Sequence, residues 1–172
     1  MVNRTTYAAA SDSDDTGHLL ALVIATFLLT ADEVKQMGEA IYAARLAALT
    51  SSYTQSAGSN GITVPDGWEP PDAVMSQMAD ESTRNASSIA QTYQHDLTLA
   101  GAAFLANWQD EHPGDTVEGA RSALTQHLGQ WTAQRADWKA EQIASWETKQ
   151  ATKAATDQLV AELQDGTALD SA

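Results

Sequence analysis

The stretch from Trp131 to Gln150, WTAQRADWKAEQIASWETKQ, constrains the fold of this chain more than any other. It contains no Gly or Pro, and Ala, Gln, Glu, Lys and Arg dominate it. All five lose little side-chain freedom in a helix, so a long helix is the expected state. Trp131, Trp138 and Trp146 within it are three of the chain's five tryptophans. The remainder agrees: 10 Gly, 4 Pro and 6% aromatics in 172 residues favour an all-α protein over a sheet protein.

Taken in order, residues 1–16 are polar and Ser/Asp-rich and read as a flexible N-terminal arm. Residues 17–57 read as a pair of helices. The first, from about Gly17 to Leu29, is apolar nearly all round and needs cover on most sides, part of which a partner chain is expected to supply. Thr30-Ala31-Asp32-Glu33 has the spacing of a capping box and opens the second. On that helix Val34, Met37, Ile41, Ala44 and Ala48 step by three and four and predict the buried face. Residues 58–71, GSNGITVPDGWEPP, form a Pro/Gly-rich linker loop. Residues 72–166 read as a long helical hairpin, broken at His112-Pro113-Gly114. Its stripes are Ala86, Ile89, Tyr93, Leu97, Ala100, Phe104 and Trp108, then Leu124, Leu128, Trp131 and Trp138, with Leu159 and Leu163 near the end. Gly166 is the expected cap, and 167–172 an acidic tail. Short connections favour antiparallel neighbours, hence an elongated bundle or hairpin of about four helices with a long C-terminal helix.

Charge narrows the function. With 23 acidic against 9 basic residues the net charge is −14, which argues against sequence-specific nucleic-acid binding and against anionic membranes. Between Arg135 and Lys153 the charge is nearly balanced, four basic against three acidic side chains, so the acid lies elsewhere. Leu19 to Leu29 is too short for a spanning helix, which needs about 20 apolar residues. Asp12, Asp14 and Asp15 precede it where an export signal would carry positive charge.

Nothing in the sequence assembles chemistry. Cysteine is absent, and His18, His95, His112 and His127 lack metal-ligand spacing. No phosphate loop, dinucleotide fingerprint or nucleophile elbow occurs. No cofactor, metal or catalytic residue is therefore expected, and the chain reads as a binder, not an enzyme. Trp and Arg are the residues most enriched at binding hot spots. The candidate contact residues are Leu20, Val23 and Phe27 on the first helix, Trp68 in the loop, and Trp131, Arg135, Trp138, Lys139, Ile143, Trp146 and Lys149 on the last.

The segment Arg135 to Ala155 also resembles the helical part of tailed-phage minor head (head-morphogenesis, Mu F-like) proteins. The resemblance rests on Ile143-Ala144 and Glu147-Thr148 followed by an Ala-rich run, with Trp146 where that family usually has Thr. Ile89 to Leu97 is similar to upstream helices of such proteins. The match covers about a fifth of the chain, and there is no room for the family's mixed α/β part, so this would be a reduced, divergent version. The resemblance implies a virion component, assembled in the host cytoplasm, present in several copies and touching portal or major capsid protein. A cytosolic or secreted helical adaptor is the alternative that composition leaves open.

Overall fold

The computed structural model describes residues 16–165, with the side chains of 136–148 and a few beyond lying outside the described set. Residues 16–25 form α1, followed by α2 (Ala31–Ser59), α3 (Asp72–Glu111) and α4 (Val117–Asp165). No strand occurs among the described residues, so the chain is all-α as its composition predicts. Internal contacts divide it into two units. The first is Met1–Thr30 with Ile89–Asp137, the second Ala31–Ser88 with Trp138–Ala172, so α3 and α4 each contribute to both.

In the first unit Leu19, Val23 and Ile24 of α1 meet Leu97 and Leu105 of α3 and Leu124 and Leu128 of α4. The stripes read from the sequence supply Leu97, Leu124 and Leu128 of this core, whereas Leu105 lies outside the stripe expected on α3. Each buried leucine contributes about 1.5–3 kcal/mol by leaving water. The half-exposed Arg135–Asp96 pair across α3 and α4 (3.2 Å) contributes about 1 kcal/mol at most. Packing, not charge, therefore fixes this unit. At Gly101 on α3 an added Cβ would lie 2.7 Å from Leu20 Cδ1, so the bare backbone is what lets Leu20 approach. α1 stops at residue 25, short of the expected Leu29. Thr26 returns its hydroxyl and its N–H to the Val23 carbonyl (2.7 and 3.1 Å), and the Phe27 N–H goes to Ile24. That side-chain bond offers the backbone an alternative to further helix.

In the second unit Leu49, Tyr53 and Ala57 of α2 pack with Met78 of α3, and Ile62, Val64, Trp68, Val74 and Ala154 close around them. α2 ends where glycine permits it. Gly61 has φ +75°, its N–H bonds the Gly58 carbonyl (3.1 Å), and the Ile62 N–H reaches Ala57 (2.9 Å). This pair of reversed bonds needs a left-handed residue, and the apolar residue after it folds back onto the helix. The buried face of α2 differs from the expected stripe. It is Gly38, Ile41, Arg45, Leu49, Tyr53 and Ala57, while Ala44 is exposed and Val34, Met37 and Ala48 are only half-buried. Arg45 tolerates this place because its guanidinium meets Glu81 of α3 at 3.2 Å.

Gly38 marks a close α2–α3 approach, yet an added Cβ would meet Ala86 Cβ and Thr83 Cα at 3.6 Å, ordinary contact distance. Gly38→Ala is therefore expected to stabilise the chain by about 1 kcal/mol through helix propensity alone. The thermal midpoint should rise by about 2–4 °C. A fall would mean that the helices have no slack at this crossing.

Candidate protein-interaction surface

The first unit gathers five of the residues selected from the sequence, but it uses them internally. Leu20 and Phe27 are partly buried against the core. Val23, expected at a contact with another chain, is only 4% exposed and belongs to the core itself. α3 and α4 cover the face of α1 that carries Leu19, Val23 and Ile24, while Leu22 on another face stays 56% exposed. Trp131 packs on the same core and tilts against Tyr93 at 6.1 Å. The Arg135 guanidinium carbon stands 4.5 Å from the Trp131 ring centroid while its Nη1 donates to Asp96. One side chain thereby holds an aromatic face and a carboxylate at once.

Trp68 lies in the second unit, stacked on Tyr53 with ring centroids 3.8 Å apart and planes 3° from parallel. It tucks onto α2, as a large ring in a turn-rich loop tends to. Lys149 is exposed. The side chains of Trp138, Lys139, Ile143 and Trp146 lie outside the described residues, as do those of Leu159 and Leu163. So do the N-terminal arm before residue 16, Gly166 and the acidic tail.

Concavities also occur among the described residues. A groove of about 440 Å³ in the second unit runs between α2 and α3. Ala31, Val34, Gly38 and Tyr42 form one wall, and Ala79, Thr83 and Ser87 the other. Lys35 and Glu39 at its edge form an exposed pair at 3.7 Å. Thr83 and Ser87 turn their hydroxyls back to their own helix, to the carbonyls of Ala79 and Thr83 (3.0 Å each), which leaves methyl, methylene and ring surface facing the space. A mostly apolar trough between two helices suits an apolar side chain presented by another helix. Sequence reasoning noted Val34 but missed this groove. The available signal was small residues every fourth position, Ala79, Thr83 and Ser87, opposite Ala31 and Gly38.

The second concavity, about 410 Å³, lies in the first unit at the α3–α4 turn. Trp108 and His112 line it, their rings stacked at 3.9 Å. Phe104 continues the series to Trp108 (5.8 Å) and to His127 (4.4 Å). Among the described residues the buried Trp108 Nε1–H has no hydrogen-bond partner, whereas several other polar groups here have tasks. The His112 Nδ1–H bonds the Trp108 carbonyl at 3.2 Å and closes the end of α3. The Asp115 carboxylate accepts from the Thr116 N–H, and the Thr116 hydroxyl from the Gly119 N–H, which caps α4. Gly114 turns the chain with φ +103°. These side chains terminate helices; they do not converge on a reacting centre.

No cluster of three or more His, Asp or Glu suited to a metal occurs among the described residues. None of the described helices is long and apolar enough to cross a membrane. No family model, curated protein or solved structure matches the chain.

Proposed function

We propose that this chain is a non-enzymatic structural component of a phage particle, a minor head or head–tail connector protein. It binds portal or major capsid protein through its helical faces and acts in several copies. The α2–α3 groove carries the binding part of this reading, because its apolar walls and ion-paired edge offer a seat for a side chain from a partner helix. The identity of the partner rests on the resemblance of Arg135 to Ala155, and of Ile89 to Leu97, to phage head proteins. An elongated arrangement of about four helices with a long C-terminal helix belongs to the same proposal, since long helices present extended faces at small cost in chain length.

Thr83→Arg tests it. Position 83 is exposed, so the substitution fills the groove without entering the core, and the isolated chain should keep its helicity and thermal midpoint. Binding to the partner should weaken by about tenfold or more, which corresponds to roughly 1.4 kcal/mol. Undiminished incorporation into particles would remove the groove from the contact.

A further inference from the structure

We infer that this fold is built for concentrated salt: its exterior carries more unscreened negative charge than its basic residues can neutralise. The inference is independent of the proposed assembly role. Against 23 acidic residues stand 9 basic ones, and the described basic residues are largely committed within the chain. Lys35, Arg45, Arg121, Arg135 and Lys153 each meet a carboxylate, of Glu39, Glu81, Glu118, Asp96 and Asp157 respectively. Arg84 gives its Nε–H to a backbone carbonyl of its own helix.

Several further acidic residues are exposed. Asp66, Glu69 and Asp72 follow one another across the loop into α3, all exposed. Asp110, Glu111 and Asp115 crowd the α3–α4 turn, also exposed. α2, α3 and α4 all lack a basic residue in the last turn. α3 instead ends on Asp110 and Glu111, so carboxylates sit at the negative end of its dipole.

At physiological ionic strength the screening length is about 8 Å, and repulsion between nearby surface carboxylates persists. At 1 M salt the length falls to about 3 Å, and neighbouring carboxylates cease to act on one another. A compact state carrying this excess charge is destabilised by self-repulsion until counter-ions screen it.

The experiment is thermal unfolding of the full chain in 0.05 and 2 M KCl, followed by far-UV circular dichroism. It is repeated on a variant carrying Asp66→Asn, Glu69→Gln, Asp110→Asn and Glu111→Gln. These four side chains are exposed, and none has an ion pair among the described residues. The wild-type midpoint should rise by about 10 °C between the two salts, the shift that a few kcal/mol produces in a chain of this length. The variant should begin higher at low salt and respond to KCl by half as much or less. A flat or falling wild-type midpoint would overturn the inference. So would a variant with the full wild-type response, because salt would then act by exclusion from the surface and not by screening charge.

Discussion

Leu97→Ala is expected to lower the unfolding free energy by about 3–4 kcal/mol. Leu97 is 0% exposed and sits in one cluster with Leu19, Val23 and Ile24 of α1 and Leu124 and Leu128 of α4. Truncation removes the transfer free energy of the side chain and leaves a cavity that neighbours from separate helices cannot collapse to fill. Domains of this size hold about 5–15 kcal/mol of stability in all. One such change therefore removes a large fraction of it. Leu99, two residues along the same helix, is 57% exposed, and Leu99→Ala should stay within about 0.5 kcal/mol. Urea unfolding of the two variants makes the comparison. A Leu97→Ala loss below about 1 kcal/mol would mean that the first unit does not close around α3 as described.

The second large effect lies in the other unit. Tyr53 is 4% exposed and stacks under Trp68, and Tyr53→Ala should cost about 3–5 kcal/mol. Much of that is burial, but part belongs to the ring pair. A double-mutant cycle with Trp68→Ala should return a coupling of about 0.5–1.5 kcal/mol beyond the single effects. Tryptophan emission should also shift to the red in Tyr53→Ala as Trp68 loses its apolar platform. Zero coupling, with emission unchanged, would place Trp68 away from Tyr53 and return it to the pool of exposed anchors.

How far the sequence could be read depended on whether its signals were local. Along α4 Leu124 and Leu128 repeat with the helical period and the core stripe was legible; along α3 the stripe found Leu97 but passed through the partly buried Ala100 and Phe104 and missed Leu105. The breaks were legible too: Gly61 and Gly114 adopt the left-handed backbone that ends a helix, and Asp115 and Thr116 cap the next. α2 was misread because Ala44 and Ala48 count as apolar and Arg45 as polar. The carboxylate that pairs with the buried Arg45 is that of Glu81, 36 positions away, and no pattern inside α2 announces it. Arg135 likewise pairs with Asp96, 39 positions upstream, which no pattern inside α4 announces. α1 was drawn too long because a single hydroxyl, that of Thr26, competes with the next helical bond. The groove escaped notice because small residues at fourfold spacing also look like ordinary helix surface.

Fractionation of purified particles measures the proposed function most directly. Particles produced by the genome that encodes this chain would be banded by density, and each fraction probed for the chain and for portal and major capsid proteins. The chain should band with the particles in a fixed ratio to portal protein and stay with them after a salt wash, with Thr83→Arg lost from that band. Recovery of the wild-type chain wholly in the soluble cytosolic fraction, with particles complete and infectious without it, would contradict the assembly role and leave a helical adaptor in its place.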